Sequence, residues 1–354
     1  MNNISAGNLG YVVVTDYVKA NTGKDVSDDL QKVILDNPHR TIYFPDGEYI
    51  IAKPVCTPAD PAKAVSLELS CFATIKASDD WSDSEAMVRL GALDPYNNIH
   101  LNGSNYYFKG GIIDGNKVAN GIAIESGRET FITRVSIKNT QVGIHIKRGA
   151  NSGSSDADVE QVNIAGNNMP DSIGVLLEGY DNTLHNMRIA AVQTGILLRS
   201  AGNSLRDIHP LYIYGTEMHA KNPDLYDEDD YIDYSKSIAF DDQSWGNNWY
   251  SYCYSDQLST GFRFKGGATP VFEHCFVMWY TTRGDKEIGF ECEEGKFCAT
   301  VNSANIALRG DGKNRYFLKV SESGGTGVIE NPIFSPSACD EESYKDYLQG
   351  RVIH

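Results

Sequence analysis

The chain repeats one short pattern, a small residue followed by apolar, any and apolar residues, at Gly121-Ile-Ala-Ile, Gly143-Ile-His-Ile, Gly174-Val-Leu-Leu, Gly195-Ile-Leu-Leu, Ser237-Ile-Ala-Phe, Gly261-Phe-Arg-Phe and Gly289-Phe-Glu-Cys. Successive small residues lie 22, 31, 21, 42, 24 and 28 positions apart. Repeats of roughly 20–50 residues are typical of solenoids, in which each repeat adds one coil and longer intervals hold inserted loops. The pattern therefore predicts a stack of coils.

A second β-rich run precedes copies of this pattern, at 131–137, 159–164, 184–189, 249–254 and 271–276. Each coil thus has at least two strands, and strands this short bury a face only when they stack on neighbours about 4.8 Å away. A leucine-rich repeat would need helices and a Leu–Asn consensus, and a propeller would need blades of about 40 residues. The sequence predicts an all-β, single-stranded parallel β-helix.

The N-terminal part predicts the cap that an open solenoid end needs. An N-cap and an amphipathic turn pattern begin at Ser27 and run to Leu35. They indicate a short capping helix. Two strands then follow within 41–51, joined by a Pro-Asp-Gly turn.

Length and composition limit both the domain organisation of the chain and the classes of partner that it can bind. With 354 residues we expect a single domain, 1–354, with coils over about 11–310, an inserted acidic and aromatic loop at 216–236 and a C-terminal cap or tail at 311–354. The net charge of −16 excludes nucleic acid, whose phosphates demand a basic surface. Because apolar runs stay well below the roughly 20 residues that cross a bilayer, we expect no membrane span.

Seven cysteines occur, none in a CxxC pair, so the sequence predicts neither a metal site nor a redox motif, and no cofactor. Most lie in apolar strand segments, as expected for small core residues in a reducing compartment. The first residues lack a basic segment followed by an apolar one. We therefore expect a cytoplasmic protein, or a secreted one if a signal peptide has been removed.

Two segments resemble a known family. The run IYFPDGEYII from Ile42 and the run Gly110-Gly-Ile-Ile-Asp-Gly-Asn are similar to those of the pectate lyase superfamily, and more narrowly to proteins related to polygalacturonases of glycoside hydrolase family 28. The resemblance covers roughly residues 11–310. It implies a right-handed β-helix with a carbohydrate groove along one sheet.

The catalytic signature of polygalacturonases does not carry over. Gln141 stands where the acid of the Asn-Thr-Asp motif belongs, Asp241 and Asp242 follow their strand instead of preceding it, and the sequence has no Gly-His-Gly. The chemistry must therefore come from other residues.

One row of residues alternates in charge. Four positions after each small residue lies a side chain that the strand alternation points outward: Glu125, Lys147, Glu178, Arg199, Asp241, Lys265 and Glu293. Such a row is either a ladder of surface ion pairs that specifies strand register or part of a functional groove.

The functional interpretation rests on Glu178 and Asp241. They are predicted to lie two coils, or about 9.5 Å, apart with Arg199 between them. Inverting glycosidases hold their two carboxyl groups about 6.5–9.5 Å apart, which leaves room for the attacking water. The spacing predicts a catalytic carboxylate pair.

Other residues complete the candidate site. Asp207, His209 and Asp256 are alternative acid–base residues. Expected sugar contacts come from aromatic rings and from cations of the coils: Tyr226, Tyr231, Trp245, Lys147, Arg263 and Lys265.

Three functions remain open. The first is a glycoside hydrolase that acts on an oligo- or polysaccharide. The second is a polysaccharide lyase, in which Arg199 or Arg263 removes a proton beside a uronate carboxylate that Ca²⁺ neutralises; the acidic surface disfavours such a polyanionic substrate. The third is a non-catalytic carbohydrate-binding or fibre-like module, for which a homo-oligomer, namely a trimer, is expected.

Overall fold

The structure, a computed structural model, describes residues 10–93, 107–148, 154–213, 220, 223, 232–280, 287–308, 315–334 and 352–353. These residues belong to two compact units. The first comprises Met1–Asn167 with Val175–Thr183, and the second comprises Asn168–Gly174 with Leu184–His354. The single domain remains a prediction.

The described residues contain one α-helix, α1 (Ser27–Asp36), and short 3₁₀ helices at Val14–Asp16, Pro61–Lys63 and Tyr234–Lys236. The strands up to Leu177 are β1 (Val12–Val13), β2 (Thr41–Phe44), β3 (Gly47–Ile51), β4 (Val55–Pro58), β5 (Ser66–Leu69), β6 (Ala73–Ala77), β7 (Ala86–Leu93), β8 (Tyr107–Lys109), β9 (Ile112–Asp114), β10 (Asn120–Ile124), β11 (Phe131–Thr133), β12 (Ser136–Thr140), β13 (Val142–Ile146), β14 (Asp158–Glu160), β15 (Asn163–Gly166) and β16 (Ile173–Leu177). The later strands are β17 (Thr183–Ala190), β18 (Thr194–Leu198), β19 (Ser204–Leu211), β20 (Ile238–Asp242), β21 (Trp249–Ser251), β22 (Tyr254–Asp256), β23 (Thr260–Phe264), β24 (Val271–Glu273), β25 (Phe276–Trp279), β26 (Glu287–Phe297), β27 (Thr300–Asn302), β28 (Asn305–Leu308), β29 (Arg315–Gly325), β30 (Val328–Glu330), β31 (Ile333–Phe334) and β32 (Val352–Ile353).

In the first unit each coil adds one strand to each of three stacks. Stack 1 pairs β2, β5, β8, β11 and β14, stack 2 pairs β3, β6, β9, β12 and β15, and stack 3 pairs β4, β7, β10 and β13. All of these pairings are parallel. Because coils stack in register, almost every strand edge finds a partner in the next coil.

The second unit repeats the arrangement. Its stack 1 pairs β21, β24, β27 and β30, its stack 2 pairs β22, β25, β28 and β31, and its stack 3 pairs β18, β20, β23, β26 and β29, again in parallel. The predicted fold class, a single-stranded right-handed parallel β-helix with an N-terminal helix, is confirmed. The stacked strands continue beyond residue 310, where the sequence pattern predicts a cap or tail.

The side chains that point inward from stack 3 lie at the positions that the repeat predicts, in all coils but one. Ile196, Phe262 and Phe290 are fully buried, and the Phe262 and Phe290 rings stack with centroids 5.1 Å apart. In the coil between them Phe240, not the predicted Ile238, pairs with Ile196 and Phe262. The Ser237 pattern is therefore wrong by two residues, and Ala239 takes the small position.

This shift moves Asp241 as well. Asp241 pairs with Leu197 and Arg263, each of which lies two positions after the small residue of its coil. Asp241 therefore does not belong to the alternating row, whose members lie four positions after the small residue. The equivalent residue is Gln243, whose backbone N–H donates to Leu198. The predicted alternation of charge is therefore interrupted by an uncharged amide.

The predicted N-terminal helix and the two strands after it are confirmed, but the N-cap is Val26, which makes no side-chain cap hydrogen bond, and not Ser27. Helix α1 begins at Ser27, whose backbone N–H donates to Asp25 Oδ1 over 2.9 Å. The Gln31 amide donates to the Cys56 carbonyl over 2.9 Å and accepts from the Cys56 N–H over 2.8 Å. These two bonds tie the helix to β4, the strand on which stack 3 of the first unit begins.

The small position of each coil is set by close backbone approach, which gives a first testable prediction. A methyl group at Gly195 would overlap the carbonyl oxygen of Ala239 and come within 2.7 Å of Pro210 Cβ. Paired strands cannot separate to admit it, so we expect Gly195→Ala to lower the free energy of unfolding by about 3 kcal/mol. Denaturant unfolding followed by far-UV circular dichroism measures this change.

Ala239 provides the matched control, because it occupies the equivalent position one coil later. Ala239→Gly only raises the backbone entropy of the unfolded chain and removes one methyl contact. We therefore expect it to lower the free energy of unfolding by about 1 kcal/mol. If Gly195→Ala were no more destabilising than Ala239→Gly, close packing would not be the reason for the small residue.

Candidate functional site

A groove of about 720 Å³ lies in the second unit on the outer face of stack 3. Its walls carry hydroxyl side chains together with acids and bases. The charged lining residues are Asp171, Asp233, Lys236, Arg263, Glu291 and Lys319. We call this surface the stack 3 groove.

Arg263 lines this groove and binds Asp241, a nearly buried carboxylate that is not among the lining residues. Arg263 Nε donates to Asp241 Oδ1 over 2.9 Å, and Nη2 donates to Oδ2 over 2.6 Å. The Gln243 amide also donates to Asp241 Oδ2 over 3.0 Å. Only 4% of the Asp241 side chain is exposed, so this carboxylate is held in one orientation.

Arg263 stays protonated in this setting. Burial lowers the pKa of Arg263, but the hydrogen bonds and negative charge of Asp241 outweigh burial, and the pKa lies above its ordinary value. The second guanidinium nitrogen, Nη1, lies 3.5 Å from Glu293 Oε1. The cation is therefore shared by two carboxylates.

Glu291 continues the same row. Asp241 pairs with Arg263, Arg263 with Glu291, and Glu291 with Lys319, each directly opposite the next. Lys319 Nζ donates to Glu291 Oε1 over 2.7 Å. Asp241 and Glu291 are thus two strands, or about 9.5 Å between backbones, apart with an arginine between them.

The far wall of the groove is the 3₁₀ helix Tyr234–Lys236 with its N-cap, Asp233. Asp233 accepts from the Ser235 backbone and hydroxyl over 3.1 and 2.7 Å, and Lys236 Nζ lies 3.1 Å from it. These contacts, first the Ser235 hydroxyl and then Lys236, hold the pKa of Asp233 below its ordinary value. The Gln193 side chain donates to the Asp233 carbonyl over 2.8 Å and so fixes the wall to stack 3.

An exposed aromatic ring lies beside the end of β20. Trp245 is 71% exposed, and the ammonium of Lys265 lies 5.3 Å from the centre of its ring. Both residues were predicted to contact a sugar. A flat, exposed indole is the surface on which a pyranose ring packs.

The predicted catalytic residue Glu178 lies in the first unit, where its Oε2 is 2.8 Å from His145 Nε2. Burial lowers the pKa of His145 below its ordinary value, and the neighbouring Glu178 only partly offsets this. The side chain of His145 is half-buried. Arg199, expected between the two carboxylates, is exposed at the end of β18. The distance between Glu178 and Asp241 remains a prediction.

The predicted substrate contact Lys147 belongs to a ladder of ion pairs. Lys147 donates to Glu125 over 3.0 Å and to Glu85, and Arg89 binds Glu125 through Nε and Nη2 over 2.6 and 2.9 Å. Burial raises the pKa of Glu125, but these hydrogen bonds reverse the effect and the net shift is downward. Glu125 and Lys147, two members of the alternating row, therefore pair with each other as in a charge ladder, and the role of the row in specifying strand register remains a prediction.

Two of the alternative acid–base residues lie together. His209 Nε2 is 3.5 Å from Asp256 Oδ2, and the His209 ring stacks on Tyr254 with centroids 4.1 Å apart. Asp207 instead points to solvent, where it pairs with Arg206 over 3.2 Å. Tyr226, Tyr231 and most of the predicted loop 216–236 lie outside the described residues.

Sequence reasoning missed Glu291, Lys319 and Asp233 as groove residues. The first two occupy the free position between the two apolar residues of the repeat, as Arg263 does. Comparing that middle position between the copies at Gly261 and Gly289 would have found Arg263 and Glu291, whereas Lys319 lies outside the seven copies and Asp241 joins the row only in the register of the structure.

The described part of the chain contains no group of three or more His, Cys, Asp or Glu side chains arranged to hold a metal ion. Over the same residues, no helix has the length and apolar character needed to cross a membrane. The six described cysteines are free thiols.

No protein-family model matches the sequence, and no curated protein sequence matches it. Several solved structures are similar to the chain. The tailspike protein of the E. coli bacteriophage HK620 is 10% identical with a TM-score of 0.60, over 94% of this chain and 64% of the tailspike. A tailspike from the Acinetobacter baumannii bacteriophage Fri1, a capsular polysaccharide depolymerase, is 10% identical with a TM-score of 0.55, over 94% of this chain and 59% of that protein.

The A-module of a mannuronan C-5 epimerase from Azotobacter vinelandii is 14% identical with a TM-score of 0.50, over 92% of this chain and 99% of the module. At such identities the likeness shows the fold alone. It agrees with the right-handed parallel β-helix fold, and the relation to the pectate lyase superfamily, like the narrower one to polygalacturonases, remains a proposal.

Proposed function

We propose that the protein binds an oligo- or polysaccharide in the stack 3 groove and hydrolyses a glycosidic bond there. The observation that carries the proposal is the row Asp241, Arg263, Glu291 and Lys319, two carboxylates and two cations in direct register, of which Arg263, Glu291 and Lys319 line the groove. Alternating acceptors and donors at about 4.8 Å intervals suit the hydroxyl groups of a sugar chain. Fold relatives named as a polysaccharide depolymerase and a mannuronan epimerase support a carbohydrate ligand.

The chemistry follows from the spacing of Asp241 and Glu291. In an inverting glycosidase one carboxyl group protonates the leaving oxygen and the other activates a water on the opposite face of the ring, across about 6.5–9.5 Å. Two strands of stack 3 span that distance. Arg263 keeps Asp241 oriented, while Glu291, paired with a lysine that is 44% exposed, has the freer carboxyl group. The sequence-based pair of Glu178 and Asp241 is the competing assignment.

A lyase is less well supported. Its base must be neutral to accept a proton, whereas the contact with Asp241 raises the pKa of Arg263. A non-catalytic binding module is the second candidate, because Asp241, Glu291 and Asp233 each have an ion-pair partner, as structural ladders do.

A glycan hydrolysis screen with product analysis tests the proposal. We expect new reducing ends from at least one glycan, with inverted anomeric configuration in the first product. Unsaturated products that absorb in the ultraviolet would establish the lyase, and saturable binding without turnover would establish the binding module.

The exposed tryptophan gives a separate prediction. If Trp245 stacks on a sugar ring, Trp245→Ala should weaken glycan binding by about 1 kcal/mol or more, or at least fivefold, because the aromatic contact is lost. Isothermal titration calorimetry measures the change. Trp249→Ala is the matched control, since Trp249 is also exposed but lies on stack 1. Equal losses from both variants would contradict a specific role for Trp245.

A further inference from the structure

We infer that the stack 3 groove accepts an uncharged sugar chain and rejects polyuronates. The inference rests on the proposed carbohydrate function and names its substrate class. It follows from how the charges of the groove are paired.

Each cation among the described lining residues already has a carboxylate. Arg263 Nη2 lies 2.6 Å from Asp241 Oδ2, Lys319 Nζ lies 2.7 Å from Glu291 Oε1, and Lys236 Nζ lies 3.1 Å from Asp233 Oδ2. A uronate needs a cation that can turn toward it. Here a uronate would have to displace a carboxylate of the protein from that cation.

The remaining charges make this displacement unfavourable. Three lining carboxylates, Asp171, Asp233 and Glu291, already match the three lining cations. Asp241 and Glu293, which lie 2.6 and 3.5 Å from Arg263, add two further negative charges beside the groove. The chain as a whole carries −16, which repels a polyanion at longer range. The carboxylates near the groove and the net charge of the protein both disfavour binding of a polysaccharide with one negative charge per sugar.

Neutral sugars meet no such penalty. Ion-paired carboxylates keep free lone pairs that accept from sugar hydroxyls, and lysine keeps free N–H donors. The groove adds uncharged partners in the hydroxyl side chains of Thr194, Ser235, Ser259 and Thr260. Hydroxyl-rich ligands can therefore bind without breaking an ion pair.

Calorimetric titration of the full chain against matched panels tests the inference. The neutral panel is galactan, xylan, mannan and α-glucan oligosaccharides, and the charged panel is oligogalacturonate and oligoalginate. We expect binding within the neutral panel only, with an affinity that changes less than twofold between 50 and 300 mM salt. Tighter binding of the charged panel, weakening as salt rises, would overturn the inference while leaving a carbohydrate function intact. Absence of binding to both panels would count against the proposed function itself.

A charge variant makes the test sharper. Glu291→Gln frees Lys319, so we expect oligogalacturonate, which should not bind the wild-type chain measurably, to bind this variant at least tenfold more tightly than the detection limit of the titration. The matched control is Glu68→Gln, because Glu68 and Lys109 are likewise paired directly opposite each other over 2.9 Å, but on stack 1 of the first unit. The same gain in both variants would mean that only the net charge matters and would overturn the assignment to the groove.

Discussion

Replacing Glu291 with glutamine is expected to lower the turnover of a confirmed glycan substrate by about 10²–10⁴-fold, because the amide can neither give nor take the proton in the bond-breaking step. The fold should be unaffected. Lys319, the partner of Glu291, is 44% exposed, and such an ion pair contributes less than about 1 kcal/mol. Steady-state kinetics with the substrate identified in the screen, together with a thermal melt of each variant, measure both quantities.

Glu178→Gln separates this assignment from the one that the sequence suggested. If the stack 3 groove is the active site, Glu178→Gln should keep turnover within about threefold of wild type. The opposite pattern, in which Glu178→Gln loses turnover and Glu291→Gln keeps it, would move the chemistry to the Glu178–His145 pair. Loss of turnover in neither variant would direct mutagenesis to His209 and Asp256.

The largest expected effect on stability concerns a buried ion pair in the second unit. The side chains of Glu287 and Arg315 are both fully buried and paired with each other, and the Tyr234 hydroxyl donates to Glu287 over 2.9 Å. Glu287→Gln leaves the arginine charge without a counter-charge, so we expect the free energy of unfolding to fall by about 3–5 kcal/mol. Denaturant unfolding followed by tryptophan fluorescence measures the change.

A double variant shows whether the unpaired charge is the cause. Glu287→Met with Arg315→Met removes both charges and keeps similar volume, and we expect it to recover most of the lost stability. If the double variant were as unstable as Glu287→Gln, the defect would come from lost packing of the 3₁₀ helix that Tyr234 anchors. Glu291→Gln, four residues away on β26, serves as the exposed-pair control.

The fold could be predicted because its cause is local. Stacked strands need apolar side chains on alternate positions, and the close approach at Gly121, Gly195 and Gly261 demands a residue without a side chain. Both requirements recur from coil to coil, with Ala239 in place of glycine in one of them, so the repeat can be recognised without knowing which coils are neighbours. The N-terminal helix could be predicted for the same reason, because the residues of its N-terminus and of its apolar face lie within one segment of ten residues.

The site could not be predicted to the same degree, because it depends on register between coils. A shift of two residues keeps every side chain on its own face of a strand, so Ser237-Ile-Ala-Phe fits the pattern as well as the true register does. Only the pairing of Phe240 with Ile196 shows that Asp241 lies opposite Arg263. That choice decides which charges meet.

The sequence by itself therefore determined the β-helix, the inward and outward faces of its strands and the net charge of −16. The tertiary structure alone decided that Asp241, Arg263, Glu291 and Lys319 form one row, and that Asp242 turns into the core, where burial raises its pKa although Ser244, Asn248 and Tyr250 donate to it. The physical reason is the sequence separation over which each kind of interaction acts. Alternation and close packing act over a few residues of one strand, whereas ion pairing joins residues more than 20 positions apart, whose relative position is fixed only when the coils stack.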